Sequence, residues 1–124
     1  MPKVLVVDDS DVIRTSLEEY LTERGLEVLS AVDGLNGLRM IREHTGIDLV
    51  ITDINMPNMG GLEMLRSIRH DLKRAELKVV VLTTEESDLF REEAEDLDIV
   101  GWALKPITEK FADVIEAFVG GVEI

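Results

Sequence analysis

Four short stretches of this sequence set reactive groups directly after apolar runs. Asp8-Asp9-Ser10 follow KVLVV (3–7), Asp53 follows IDLVIT (47–52), Thr83-Thr84-Glu85 stand at and after the end of LKVVVLT (77–83), and Lys105-Pro106 follow VGWAL (100–104). Singly, each has a plain reading: Asp8 or Asp9 caps a helix, Asp53 caps the next one, Thr83 is a β-branched strand residue and Lys105 a solvated lysine. If the runs are strands of one sheet, however, three carboxylates, a hydroxyl and an ammonium share one rim. Carboxylates that close repel one another, and their pKa values rise unless a cation neutralises them. A hard divalent ion does this, and Mg²⁺ suits one or two carboxylates together with water and a phosphate oxygen. Such a site accepts a phosphoryl group, with one aspartate as nucleophile and Thr83 and Lys105 on the remaining phosphate oxygens. A phosphodonor is an anion approaching an acidic pocket, so the metal is also needed as countercharge.

The elements that must position these groups are legible as alternating periodicities. Strand-like runs recur at 3–7, 26–31, 47–52, 77–83 and 100–104. Between them, Val12, Ile13, Leu17, Tyr20 and Leu21 predict a first helix, capped by Ser10 or Asp11 and ended by Gly25. Leu35, Leu38, Met40 and Ile41 predict a second, and Leu62, Met64, Leu65 and Ile68 a third. Leu89, Phe90, Ala94 and Leu97 predict a fourth over 87–97, and Ile107, Phe111, Val114, Ile115 and Phe118 a fifth. The class is α/β: a (βα)5 chain whose parallel, doubly wound sheet is covered on both faces by right-handed crossovers. Sites in such sheets lie outside the carboxyl ends of the strands, near the topological switch point.

Composition narrows the chemistry. The 124 residues suit a single domain, 1–124, with GGVEI at 120–124 as a possible tail or linker stump. There is no cysteine, and His44 and His70 stand apart, so thiolate chemistry is excluded and a histidine metal cluster is not expected. The formal net charge of −13 repels nucleic acid and anionic membranes. No apolar run approaches bilayer length, and MPKVLVVDD turns acidic too early for a signal peptide; a soluble, cytoplasmic chain is expected. Aromatic residues, at 4%, are too sparse for a base-stacking platform.

With VLVVDDS, LVITDINMPNMGGLE, VVVLTTE and WALKPI in this order and at this spacing, the chain resembles the receiver domain of two-component response regulators, especially the single-domain chemotaxis type. The resemblance covers essentially the whole chain. It implies a flavodoxin-like receiver fold with a five-stranded parallel sheet of order 2-1-3-4-5. It implies that Asp53 is the phosphoacceptor, served by a histidine kinase, a phosphotransfer domain or a small acyl phosphate. Asp9 would ligate Mg²⁺ directly, Asp8 mainly through water and Asn55 through its backbone carbonyl, with Asp53 completing the metal set. Lys105 would pair with the phosphate, aimed by a cis bond to Pro106, and Thr83 would be the switch hydroxyl. Trp102 sits where the family keeps a smaller aromatic that swings inward. Pro57 and Gly61 match the family's loop punctuation, and Met56 and Met59 read as packing residues.

Thr84 stands where the family usually has Ala or Gly, and a β-branched residue there narrows access to the pocket. Asn55 and Glu85 are similar to the corresponding residues of receivers that lose their phosphoryl group quickly, an effect that Thr84 opposes. Asp98 stands near where a glycine often follows the fourth helix, in a backbone region that Asp tolerates. EESDLFREEAEDLD (85–98) is either a solvated helix face or a surface that seeks a basic partner. The implied function is a phosphorylation-dependent switch, without turnover of a separate substrate, whose surface of helix four, strand five and helix five regulates a downstream protein. The alternatives are a phosphate sink or relay, or a receiver excised from a larger regulator. A Mg²⁺ phosphohydrolase is disfavoured, because DIN (53–55) lacks the second carboxylate that such enzymes use as acid and base. The chain is expected to be monomeric, with neither nucleic-acid binding nor membrane insertion.

Overall fold

Alternation within the apolar runs decides which way each strand residue faces, and the sheet uses both faces. In the computed structural model, which describes residues 1–84 and 88–120, the strands are β1 (Lys3–Val7), β2 (Glu27–Ala31), β3 (Leu49–Thr52), β4 (Lys78–Thr83) and β5 (Gly101–Leu104). All pair in parallel, in the order β2-β1-β3-β4-β5. Helices α1 (Asp11–Thr22), α2 (Gly34–Glu43), α3 (Gly61–Arg66), α4 (Asp88–Glu93) and α5 (Glu109–Gly120) fill the crossovers. A π-helical turn, Ser67–Asp71, continues α3, and a 3₁₀ turn, Glu95–Leu97, follows α4.

Two cores result. Val4, Val6, Leu49, Ile51, Val80 and Leu82 meet Leu17 and Leu21 of α1 and Ala112 and Ile115 of α5. Leu5, Val7, Val50, Val79 and Val81 meet the other face, formed by Leu38, Ile41, Met64, Leu65, Ile68, Ala94 and Leu97. This is why the central strands read as continuous apolar runs: every residue has a helix layer over it. The order expected for the sheet, and its doubly wound character, are both observed.

Some residues assigned to helix faces lie outside. Val12 is 73% exposed; it is five residues before Leu17, about 140° around the helix from the buried stripe. Leu35 is 53% exposed in the first turn of α2, with Leu38 and Ile41 forming the buried face. The expected fourth helix over 87–97 is broken: α4 has six residues, none buried, and the inward residues Ala94 and Leu97 come only as it ends. Leu89 is accordingly 60% exposed, and Ser87 lies outside the described residues. Val114, beside the buried Ile115, is also exposed. Asp98 takes the left-handed conformation, with φ 53°, after the 3₁₀ turn. Gly120 closes α5, and the rest of the possible tail or linker stump at 120–124 lies outside the described residues.

Candidate functional site

β1 has β2 on one side and β3 on the other, so the connections leave the sheet in opposite directions there and open a crevice at the strand ends. Asp8 follows β1 and Asp53 follows β3. Asp53 does not cap α3, whose N-cap is Gly60, and neither Asp8 nor Asp9 caps α1. Ser10 is that cap, its Oγ accepting from the Ile13 N–H at 3.3 Å. The capping readings of the three aspartates thus give way to the rim.

Asp8 and Asp53 are each held by a backbone N–H and by the same lysine. Asp53 Oδ1 accepts from its neighbour's N–H, that of Ile54, at 2.7 Å, and Oδ2 accepts from Lys105 Nζ at 2.9 Å. Asp8 Oδ1 accepts from the Ser10 N–H at 2.9 Å, and Oδ2 lies 2.8 Å from Lys105 Nζ. The Lys105 N–H donates to the Thr83 carbonyl at 2.8 Å, tying the end of β5 to β4, and the Lys105–Pro106 bond is cis. Asp9 is exposed at the mouth, yet Asp8, Asp9 and Asp53 each offer an oxygen within 4.8 Å of the others. Thr83 is buried at the end of β4, Thr84 is exposed beside it, and Glu85 lies outside the described residues.

Burial sets the electrostatics. Asp8 is 2% exposed, and desolvation pushes its carboxyl above the usual aspartate range, against the pull of Lys105 and the Ser10 N–H. Burial works the other way on the Lys105 ammonium, but its bonds to Asp8 and Asp53 prevail and hold it above the ordinary lysine value. Three carboxylates facing one ammonium leave the pocket anionic, with oxygen donors only, which is the donor set and charge that a hard divalent cation takes. The residues present therefore fit Mg²⁺.

The loop after Asp53 is folded back on the strand. The Gly61 N–H donates to the Ile54 carbonyl at 2.8 Å, and a Cβ on Gly61 would stand 2.0 Å from the Asp53 carbonyl oxygen, so only glycine fits. Met56 and Met59 pack against the α2–α4 face, as expected. Asn55 is exposed in this loop. Trp102, on β5, is partly buried against the same face, and the Arg91 guanidinium of α4 lies over its ring, 5.2 Å from the centroid.

Sequence reasoning missed three contributors. Arg14 donates to the Asp8 carbonyl at 2.5 Å and also pairs with Asp11, bracing the β1–α1 turn. Asp33 and Asn58 join across the rim, with Asn58 Nδ2 donating to Asp33 Oδ2 at 2.7 Å. The left-handed φ of Asn58 is a conformation that Asn tolerates, but nothing in the one-dimensional pattern pairs it with a residue 25 positions earlier.

The family profile of the response regulator receiver domain matches residues 4–117. A chemotaxis protein CheY homolog of Campylobacter jejuni is 32% identical over 119 residues, 91% of this chain and 92% of its own length. The transcriptional regulatory protein AfsQ1 of Streptomyces coelicolor is 37% identical over 89 residues, 72% of this chain but only 38% of its own length. Among solved structures, the Vibrio cholerae chemotaxis protein CheY4 superposes with a TM-score of 0.87 at 33% identity, covering 96% of this chain and 98% of that one. The Thermotoga maritima response regulator TrrA, solved with Mg²⁺ and BeF, superposes with a TM-score of 0.80 at 30% identity, covering 95% of this chain and 99% of its own.

Proposed function

The chain belongs to the response regulator receiver domain family, whose function is that of a phosphorylation-dependent switch, and on that premise we propose that Asp53 accepts the phosphoryl group in this protein. The observation that carries the reading is the lysine bridge: Lys105 Nζ joins Asp8 and Asp53 at the ends of β1 and β3. Asp53 is held by the Ile54 N–H on one oxygen and by Lys105 on the other, so the nucleophile is oriented before a donor arrives.

Receiver domains bind Mg²⁺ through an acidic cluster of this kind, and here Asp8, Asp9 and Asp53 would hold it, with the Asn55 backbone carbonyl as a further ligand. When bound, Mg²⁺ supplies the countercharge that lets a phosphoryl dianion enter an acidic pocket. A carboxylate oxygen of Asp53 attacks phosphorus. The bond from phosphorus to the donor breaks, and its electron pair leaves with the imidazole of a phosphohistidine or the carboxylate of an acyl phosphate. Lys105 then exchanges one carboxylate partner for a phosphoryl oxygen, and the buried Thr83 hydroxyl supplies a further hydrogen bond. Trp102 and α4 carry the change to the surface of α4, β5 and α5, where a downstream protein reads it; the donor is a histidine kinase or a phosphotransfer domain. A cytoplasmic setting agrees with the absence, among the described residues, of any helix long and apolar enough to cross a membrane.

Intact mass after incubation with acetyl phosphate tests this. A Mg²⁺-dependent gain of one phosphoryl group that disappears in Asp53→Asn is expected. No gain from acetyl phosphate or from a phosphorylated kinase would overturn the reading.

A further inference from the structure

The loop that follows the nucleophile is anchored at two places. Its base is closed by the Gly61 N–H on the Ile54 carbonyl. Its tip is fastened to a different element, the start of α2: the Gly34 N–H donates to the Met59 carbonyl at 2.9 Å, and Asn58 Nδ2 donates to Asp33 Oδ2 at 2.7 Å. The same Asp33 is the N-cap of α2, its Oδ1 accepting from the Asn36 N–H at 2.8 Å. One buried carboxylate thus splits its two oxygens between a helix start and the loop bearing Asn55.

The fit leaves little freedom. A Cβ on Gly34 would stand 2.8 Å from the Met59 carbonyl and 2.7 Å from its Cγ, so the helix start and the loop are in direct contact. Asn58 holds a left-handed φ of 65°, which presents its side chain to Asp33. The two hydrogen bonds received by Asp33, from the Asn36 N–H and from Asn58, keep its carboxyl below the usual aspartate value, so it stays ionised and its bond to Asn58 is charge-assisted.

We propose that Asp33 and Asn58 form a clasp that positions the Asp53–Gly60 loop for metal binding, making both of them positioning residues for phosphorylation although neither touches the reacting atoms. The inference rests on the proposed function, because it assigns to Asn55 a backbone carbonyl that the cation uses. A loop held only at its base lets that carbonyl wander, and the ordering of the loop is then paid by the incoming ion.

The test separates clasp from cap and from fold. Asp33→Ser keeps an N-cap acceptor but is too short to reach Asn58. Asn58→Gly keeps the positive φ but removes the donor. Calorimetric Mg²⁺ titration of both variants and of the parent, without phosphodonor, is expected to show affinity lowered about three- to tenfold in each variant. The double variant should be no weaker than the weaker single, because both changes open the same bond. Exchange of the pair, Asp33→Asn with Asn58→Asp, rebuilds the bond with its polarity reversed and should restore affinity. Thermal midpoints in EDTA report folding independently. Unchanged Mg²⁺ affinity in folded variants, or effects that multiply in the double variant, would overturn the clasp while leaving the proposed function intact. A parent that binds Mg²⁺ but takes no phosphoryl group would instead overturn the proposed function.

Discussion

At the scale of single residues the pocket is a compromise between burial and charge. Asp8 is nearly without solvent and its carboxyl is raised by that burial, so the folded protein binds the Asp8 proton more tightly than the unfolded chain does. A group of this kind contributes stability that is whole below its unfolded value of about 3.9 and is lost as pH rises through the higher folded value. Ionised Asp8 therefore weakens the metal-free fold at neutral pH. Asp8→Asn cannot ionise, and in EDTA it is expected to unfold at a higher temperature than the parent at about pH 7, with the gain vanishing at about pH 3. A lower midpoint for Asp8→Asn at neutral pH would mean that attraction to Lys105 exceeds the cost of burial. The residue types at this rim were legible in advance, since Asp8, Asp9, Asp53, Thr83 and Lys105 all follow or end apolar runs. Which oxygen meets which donor was not, because that depends on backbone N–H groups whose direction no residue type encodes.

At the scale of elements, stability is unevenly spread. α1 sends Leu17 and Leu21 into the core and is capped by Ser10, whereas α4 buries none of its six residues. Helices take most of their stability from packing rather than from propensity, and α4 packs on the core only through the partly buried Phe90, with Arg91 lying over Trp102. Amides of Asp88–Glu93 are expected to exchange with solvent about tenfold or more faster than those of Leu17–Leu21, measured by native-state hydrogen exchange. Equal protection would mean that α4 opens only with the whole domain. A weakly held helix beside the aromatic of β5 suits the proposed switch surface of α4, β5 and α5. The sequence showed a helix here, because Phe90, Ala94 and Leu97 keep helical spacing. Its break after Glu93 escaped that pattern, since spacing does not reveal that Ala94 lies at a chain bend and Leu97 in a 3₁₀ turn.

At the scale of the whole molecule a net charge of −13 governs the electrostatics, and the acidic pocket concentrates it. Salt of any kind should relieve the general repulsion, but only a cation that occupies the pocket should do more. MgCl₂ is expected to raise the thermal midpoint above NaCl of equal ionic strength. At ten times Kd the linkage is worth about 1.4 kcal/mol, or roughly 3–6 °C for a chain of this size. The increment should be absent in Asp8→Asn. Equal midpoints in the two salts would show that Mg²⁺ acts only as ionic strength and has no place among Asp8, Asp9 and Asp53.

The sequence by itself determined the alternation of strands and helices, the burial of the central strands on both faces and the placing of reactive groups at strand ends, because periodicity and composition act locally along the chain. Its motifs were specific enough to point to the family and, through the family, to the sheet order. Only the tertiary structure decided that Lys105 bridges Asp8 and Asp53, that Asp33 reaches across to Asn58, and that Val12, Leu35 and Leu89 stand outside the core. Those outcomes depend on how far one element travels past another, and crossover geometry sets that distance. A hydrogen bond between residues 25 or 52 positions apart leaves no trace in local spacing, because its two ends meet only after the sheet has formed.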